Sequence, residues 1–273
     1  MKKINDGPRK GSVGSAADSP MAKGKAVNRL SRPTVPAHVK NLLELRRERD
    51  KSRAPAEILG LSARVIIVEG IAGAGKDTFQ AYLKEKLKGR DVYDYTEGEL
   101  LHSWKHFSIR GILEFRVKFE KVFAMHLREV IRRDKNAVFL LNRFHLSTSV
   151  AILARQPDLA KPYEEVIEIL KTLPVHVFIV QVDEREIEKR STHAERDGVY
   201  RKLQEQLTQN DGFSSRAEKY KSQQKLILKT AERLQIPYSV IQLSGSRRDW
   251  QQIEVKITQR KAGAPWQSIH KSG

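Results

Sequence analysis

The feature that most constrains the fold of this chain is an apolar run that leads straight into a glycine-rich turn. Residues 65–68 are Val-Ile-Ile-Val, and residues 69–78 read E-G-I-A-G-A-G-K-D-T. A short apolar run before glycines predicts a buried strand, and the helical spacing of Phe79, Leu83 and Leu87 predicts a helix after the turn. A strand, a loop and a helix in this order are typical of α/β proteins.

The turn has the composition of a loop that wraps around phosphate groups. Glycines lack Cβ, so the backbone can adopt positive φ angles and bring its N–H groups close to an anion. Lys76 adds a positive charge, and the amino end of the following helix also favours an anion. We therefore predict a nucleotide site here, the alternative being a glycine turn without a ligand. The expected contact residues are Gly70, Gly73, Ala74, Gly75, Lys76, Asp77 and Thr78.

The turn departs at one position from the usual pattern G-x-x-x-x-G-K-[ST]. Asp77 stands where a hydroxyl residue is expected, and Thr78 follows it. Adenylate kinases tolerate such a residue and keep a Thr next, and some phage-type deoxynucleotide kinases resemble the spelling G-K-D-T. We expect Thr78 to contact a phosphate and Asp77 to hold Mg²⁺, directly or through water. Without a metal the Asp77 carboxylate would repel the phosphates.

Composition excludes several classes of protein. The chain has 273 residues, 39% of them hydrophobic, which is enough for one α/β domain with appendages. It has no cysteine, so disulfides, thiolate metal sites and a cysteine nucleophile are ruled out, and a reducing compartment fits. No apolar run approaches the roughly 20 residues that span a bilayer, and the amino terminus lacks the apolar core of a signal peptide. We expect a cytoplasmic protein with no membrane contact.

The charge is strongly positive and is shared by two parts of the chain. The net charge is +18, and residues 1–60 hold 14 Lys/Arg against 6 Asp/Glu. Such a field attracts nucleotides, nucleic acid or anionic lipid, or serves solubility and substrate steering. We predict a basic disordered tail at 1–60 with a short amphipathic helix at 37–53, a domain at 61–258, and a basic tail at 259–273. Contact of the tails with nucleic acid and a homodimer both stay open.

Alternating apolar runs and helical patterns predict a parallel sheet wrapped by helices. A long helix between the second and third strands has its predicted apolar stripe at Phe115, Phe119, Val122, Phe123, His126, Leu127, Val130 and Ile131. The five predicted strands are Arg64–Val68, Val92–Tyr95, Ala137–Leu141, Val175–Val182 and Tyr238–Leu243.

Arginines follow two of these strands at positions suited to binding a ligand. Arg143 stands at the carboxyl end of the third strand, where open α/β sheets bind ligands. Its guanidinium can grip an acceptor phosphate with two hydrogen bonds, or close an internal ion pair. After the fourth strand, Arg190 and Arg196 belong to a dense Lys/Arg stretch that suits a segment closing over a nucleotide, or an ordinary solvated charge run.

The order and spacing of these pieces resemble the thymidylate kinase family, within the wider nucleoside and nucleoside monophosphate kinases. The resemblance runs from about Arg64 to Ile257 and leaves the first 60 residues outside. The loop at 68–76 is similar to the family motif E-G-x-D-G-A-G-K, and the helix at 124–131 is similar to x-x-H-x-x-E-x-I. The segment at 142–151 is similar to D-R-Y-x-x-S-x-x-A. Val182-Asp183 and Arg190 fall on the family's strand-end Asp and on the Arg at the start of its lid.

The resemblance implies a fold and an activity. The fold is a P-loop NTPase, a three-layer α/β/α arrangement with a five-stranded parallel sheet and a small helical lid. The activity is phosphoryl transfer from ATP to a (deoxy)nucleoside monophosphate, with ATP and Mg²⁺ as cofactors. Lys76 and Thr78 would bind the donor, Arg143 the acceptor phosphate, and Arg190 with Arg196 the lid side.

Three departures from the family motifs leave alternatives open. Ala72 replaces the loop Asp, Asn142 replaces the Asp of D-R-Y, and T-E-G-E at 96–99 replaces R-E-P-G. Glu97 followed by Trp104 is loosely similar to deoxynucleoside kinases, where an acid at this point deprotonates the sugar hydroxyl; a helix cap or surface carboxylate is the alternative role. The remaining alternative is a catalytically weak nucleotide-binding protein that basic tails tether to nucleic acid.

Overall fold

Six strands form the central sheet of this protein. The computed structural model describes residues 57–58, 61–102, 109–191, 205–206, 208–245 and 250–261. The strands are β3 (Val65–Glu69), β4 (Asp91–Tyr95), β5 (Ala137–Asn142), β6 (Val175–Gln181), β7 (Tyr238–Gly245) and β8 (Ile253–Lys261). Their order in the sheet is β4-β5-β3-β6-β7-β8, with all neighbours parallel except β7 and β8, which are antiparallel. Ahead of them, β1 (Glu57–Ile58) pairs with β2 (Leu61–Ser62).

Helices connect the parallel strands. Their bounds are α1 (Lys76–Lys86), α2 (Ile109–Arg133), α3 (His145–Arg155), α4 (Ala160–Lys171), α5 (Glu184–Ser191) and α6 (Arg216–Leu234). Short turns of π-helix and 3₁₀-helix lie at Gly98–His102, Pro157–Leu159 and Trp250–Gln252. No helix among the described residues is both long enough and apolar enough to cross a membrane.

The core lies on both sides of the central strands. Every residue of β3 and β5 is buried, which is the pattern of parallel strands covered on both faces. Strand β3 lies between β5 and β6; the chain runs from β3 to the edge strand β4, returns to β5, and then crosses to β6 and β7 on the other side of β3. Ligands bind at such a reversal of strand order, outside the carboxyl ends of the strands. The glycine-rich turn after β3 lies at this point.

Arg64 explains how α2 and β5 are held at the opposite edge. Its guanidinium donates to the backbone oxygens of Ile131 and Ala137, at 3.1 Å each, and to that of Asp134. Basic side chains commonly satisfy the unpaired carbonyls at the end of a helix. The carboxyl end of α2 is therefore anchored beside the start of β5.

The five strands predicted from the sequence are confirmed to within two residues, and the predicted strand count of five is corrected to six. Strand β8 was missed because its residues alternate between partly buried and exposed positions and carry four charges. Arg260 and Lys261, which the sequence analysis assigned to a basic tail at 259–273, lie in this edge strand. Charged residues are common on edge strands, where they discourage pairing with other chains.

The predicted apolar stripe of α2 is partly wrong. Val122 is 67% exposed, Phe115 is 36% exposed, and His126 is exposed as well. The aromatic and β-branched residues of this helix occur on more than one face, so apolar spacing alone did not identify the buried side. The fully or nearly buried positions are Leu113, Val117, Glu120, Phe123, Ala124, Leu127 and Ile131.

Several predictions lie outside the described residues. They are the amphipathic helix at 37–53, Trp104, Arg196 and the carboxyl-terminal segment after 261. Of the segment predicted to form the lid, the structure describes α5 but not residues 192–204.

Candidate phosphate-binding site

Two glycines of the loop have backbone conformations that residues with a side chain rarely adopt. Gly70 has φ +146°, and a Cβ added there would lie 2.6 Å from the backbone oxygen of Val180 on β6. Gly75 has φ +96° and caps the amino end of α1 without any side-chain hydrogen bond. The residue at the N-cap of α1 therefore supplies no side-chain acceptor to the first N–H groups of the helix. Helix ends that bind anions use such N–H groups as donors.

Lys76 is the first residue of α1 and is almost completely buried. Its Nζ donates to the backbone oxygen of Ile71 at 3.2 Å and lies 3.7 Å from Glu97 Oε2. Burial, and after it the charge of Arg143, lowers the pKa of Lys76 to about 8, while nearby carboxylates act in the opposite direction. The site thus holds a cation away from water, at a cost in solvation that a bound anion would offset.

Arg143 lies across from Lys76, just past the carboxyl end of β5. Its φ of +61° is in the left-handed region, and its N–H donates to Val68 of β3 at 2.8 Å. This conformation costs a non-glycine residue of the order of 1 kcal/mol or more. Nε of Arg143 lies 3.1 Å from Glu97 Oε2, an ion contact without hydrogen-bond geometry. One carboxylate oxygen therefore lies between the two buried or half-buried cations.

The segment that carries Glu97 is built by a capping box. The Glu99 carboxylate accepts from the backbone N–H of Thr96 at 2.7 Å and from its hydroxyl at 2.8 Å. In return, the Thr96 hydroxyl accepts from the Glu99 N–H at 3.3 Å. Such reciprocal bonds fix the start of a helical turn. The spelling T-E-G-E, which departs from R-E-P-G, thus holds Glu97 between the cations, and Glu99, not Glu97, is the capping acid.

Glu69, at the end of β3, ties the loop to the next helix on the sheet. Its fully buried carboxylate accepts from the backbone N–H groups of Phe144 at 2.9 Å and Leu146 at 3.0 Å. It also accepts from the N–H of Ser147 at 3.4 Å and from its hydroxyl at 2.7 Å. A carboxylate at the amino end of α3 satisfies unpaired donors and the helix dipole. The sequence analysis used Glu69 only as part of the loop motif and missed this role.

Asp77 and Asn142 meet across the same cleft. Asn142 Nδ2 donates to Asp77 Oδ1 at 2.5 Å, while Asn142 Oδ1 is buried without a hydrogen-bond partner among the described residues. An exposed carboxylate beside an unpaired amide oxygen suits Mg²⁺, which keeps several waters and uses few protein ligands next to phosphates. The part of the chain that the structure describes contains no group of three or more metal-ligating His, Asp or Glu residues. The donor set therefore fits a metal held mainly by a ligand's phosphates.

The remaining predicted residues differ in burial and in position. Thr78 is half-buried in the first turn of α1, while in the loop Ala74 is buried and Gly73 is exposed. Arg190 lies in the last turn of α5, where its Nε is 3.9 Å from Glu186. The structure does not bring Arg190 into contact with Lys76 or Arg143, and Arg196 lies outside the described residues.

A buried polar cluster behind Arg143 was also missed. Thr148 donates to Glu120 of α2 at 2.5 Å, and the other oxygen of Glu120 has no hydrogen-bond partner among the described residues. Burial raises the pKa of Glu120 to about 8, although Thr148 and Arg116 oppose the change. The signal available in the sequence was a glutamate with the same helical spacing as the buried apolar residues of α2.

The assembled cleft has two cationic halves. A glycine loop, a helix amino end and Lys76 form one half, and Arg143 at the neighbouring strand end forms the other. Such an arrangement can bind two phosphate-bearing groups, one in each half of the cleft. Preorganised cations of this kind stabilise charge that develops between them.

No protein-family model and no curated protein sequence matches this chain. Among solved structures, the chain is similar to the crystal structure of thymidylate kinase from Ehrlichia chaffeensis, with 18% sequence identity. The match covers 63% of this chain and 98% of that chain, with a TM-score of 0.33. A similarity of this size does not assign a function, which has to be inferred from the residues of the cleft.

Proposed function

We propose that this chain is a kinase that transfers a phosphoryl group from ATP to a nucleotide, with a (deoxy)nucleoside monophosphate as the acceptor. The observation that carries the proposal is the pair of cations on one carboxylate oxygen, Lys76 at 3.7 Å and Arg143 at 3.1 Å from Glu97 Oε2. The donor phosphates are assigned to the loop and Lys76, and the acceptor phosphate to Arg143. Because the motifs resemble thymidylate kinases, dTMP is the first acceptor to test.

Catalysis in this proposal consists of positioning and charge neutralisation, without a covalent intermediate. Lys76, the N–H groups of the loop and Thr78 hold the donor, and Arg143 holds the acceptor in line. Glu97 leaves Arg143 when the acceptor phosphate arrives, because one guanidinium cannot offer the same donors to both anions. Arg190 and Arg196 are assigned to the side of the cleft that closes over the nucleotides.

Asp77 and the Asn142 oxygen are proposed to hold magnesium, directly or through water, with Thr78 beside them. When bound, magnesium neutralises charge on the donor phosphates. The carboxylate then comes from the first turn of α1, whereas in the family motif it comes from the strand end. The hydrogen bond between Asn142 and Asp77 supports this exchange of roles.

A second candidate is a deoxynucleoside kinase in which Glu97 is the general base. The observation in its favour is that the Glu97 carboxylate lies in the cleft, between Lys76 and Arg143. A monophosphate is already ionised near neutral pH and needs arginine, whereas a hydroxyl acceptor benefits from a base. The two candidates therefore make opposite predictions for Glu97.

The test of phosphoryl transfer is a panel of nucleosides and nucleoside monophosphates incubated with ATP and magnesium and scored for ADP and phosphorylated product. Lys76→Ala is expected to abolish turnover, because it removes the cation at the donor phosphates. Lys88→Ala, which removes an exposed lysine just after α1, is the matched control and should leave turnover unchanged. Full activity of folded Lys76→Ala would overturn the proposal.

Glu97→Gln separates the two candidates. With a monophosphate acceptor, the substitution removes the anion that competes for Arg143, so the acceptor KM should stay the same or fall. With a hydroxyl acceptor, loss of the base should lower kcat by about 10²-fold or more. A large loss of kcat with a nucleoside as the best acceptor would favour the second candidate.

A further inference from the structure

Arg116 is a charged residue close to the cleft that the proposed function leaves without a role. It lies on α2, half-buried, one helical turn before the buried Glu120. Residues four apart lie on the same face of a helix. Glu120 is hydrogen-bonded to Thr148 of α3, so the face of α2 that carries Arg116 is turned toward α3.

The direction of α2 brings Arg116 to the level of the cleft. The helix ends at Arg133, just before β5 begins, so it runs against the strand. Arg116 is 17 residues before that end, about 25 Å along the helix at the usual rise. The six residues of β5 span about 20 Å. Arg116 therefore lies at the carboxyl edge of the sheet, where β5 passes into Arg143.

The electrostatics agree with this placement. Burial lowers the pKa of Arg116. The charges of Arg143 and Arg155 lower this pKa further, whereas Glu120 and Tyr163 raise it. Arg155 pairs with Asp211, whose two carboxylate oxygens lie 3.1 and 3.2 Å from its Nη2, and Lys219 pairs with the same carboxylate at 2.8 Å. Burial favours the uncharged form of Glu120, which weakens it as a counter-ion for Arg116.

Like charges held together are unfavourable unless an anion joins them. Two guanidiniums, Arg116 and Arg143, approach the same end of β5 from different elements, α2 and the β5–α3 junction. A phosphate monoester carries up to two negative charges and offers three oxygens, which is more than one guanidinium can bind. A second arginine beside Arg143 can bind the charge and the oxygens that one guanidinium leaves unbound.

We infer that Arg116 binds the acceptor phosphate together with Arg143, from the opposite side of the acceptor pocket. The inference rests on the proposed function, since it assigns the phosphate of the same acceptor. It also defines the acceptor by class: a compound with a phosphate monoester, and not a free nucleoside.

The experiment measures binding by the full chain with isothermal titration calorimetry. The probes are the four common deoxynucleoside 5′-monophosphates, the corresponding deoxynucleosides, and ATP. Arg116→Gln should weaken binding of the best monophosphate about tenfold or more, because it removes charge-assisted hydrogen bonds. Binding of ATP and of the deoxynucleoside should not change. Arg128→Gln, an exposed arginine on the same helix, is the matched control and should bind every probe as the wild type does.

The other outcomes of the experiment distinguish failure of the inference from failure of the proposed function. If Arg116→Gln binds the monophosphate as Arg128→Gln does while Arg143→Gln loses it, Arg116 has no such role and the proposed function stands. If the wild type binds no monophosphate, the proposed function fails, and the inference fails with it. If Arg116→Gln does not fold, Arg116→Lys is measured instead. That variant keeps one charge but not the planar fork, and it should lose several-fold in monophosphate affinity alone; wild-type affinity would overturn the inference.

Discussion

At the scale of single residues, the cleft shows how one substitution in a motif can be answered by another. Asp77 adds a carboxylate at the start of α1, and Asn142 lacks the carboxylate expected at the end of β5. The two side chains are hydrogen-bonded to each other at 2.5 Å. A carboxylate from the start of α1 therefore lies beside the amide at the end of β5, where the motif that the sequence resembles has its carboxylate.

This exchange predicts a compensating pair of substitutions. Asp77→Asn should raise the magnesium concentration needed for half-maximal turnover about tenfold, because it removes the carboxylate ligand. Asn142→Asp alone puts two carboxylates in contact and should destabilise the metal-free protein. The double variant Asp77→Asn, Asn142→Asp should recover most of the magnesium affinity, which gives a large coupling free energy in a double-mutant cycle. Wild-type magnesium dependence in Asp77→Asn would contradict this assignment.

At the scale of elements, Glu120 links α2 to α3 through an interior hydrogen bond. Its folded-state pKa of about 8 is above the ordinary value of 4.5, chiefly because burial disfavours the charged form. Between these pH values the folded protein holds a proton that the unfolded chain has lost. The stabilisation is therefore complete below the ordinary value and is lost as the pH rises toward 8.

The free energy of unfolding should accordingly fall by roughly 3 kcal/mol between pH 5 and pH 8 from this group alone. Glu120→Gln keeps an oxygen for the Thr148 hydroxyl but cannot ionise, so the contribution should disappear. Urea unfolding at several pH values measures the difference, with Glu114→Gln, an exposed glutamate on the same helix, as the control. A Glu120→Gln curve that parallels the wild type would show that Glu120 does not titrate in this range.

The elements differ in how far the sequence predicts them. Strands β3, β5 and β6 could be predicted because complete burial requires continuous apolar runs. Strand β8 could not, because an edge strand needs only alternating half-burial, and its Lys and Arg residues resemble a solvated tail. The buried face of α2 was misassigned because exposed Val122 is as apolar as buried Val117, while buried Glu120 is charged.

The residues of the cleft also differ in how far their contacts could be predicted from the sequence. The loop from Gly70 to Lys76 is local in sequence, so its conformation could be predicted from glycine spacing. The contact of Glu69 with Leu146 joins residues 77 apart, and it depends on which strands become neighbours. Glu97 between Lys76 and Arg143 likewise depends on the meeting of three segments. Sequence patterns named these residues but did not indicate which of them touch.

At the scale of the whole molecule, the net charge of +18 remains to be assigned to a partner. Residues 1–56 carry 14 Lys/Arg and 5 Asp/Glu. If this segment binds nucleic acid, the full chain should be retained on DNA or RNA with a steep dependence on salt. A chain of residues 57–273, cut ahead of the β1 strand, should then elute at lower salt. Equal elution of the two chains would show that the segment makes no such contact.

The buried carboxylate of Glu69 has a consequence for the order in which substrates bind. It joins the end of β3, which leads into the glycine loop, to the first turn of α3, which follows Arg143 directly. The halves proposed for the donor and for the acceptor are therefore linked by hydrogen bonds before either ligand arrives. Neither substrate needs to assemble the other's site, so the proposed reaction fits random addition better than a compulsory sequence.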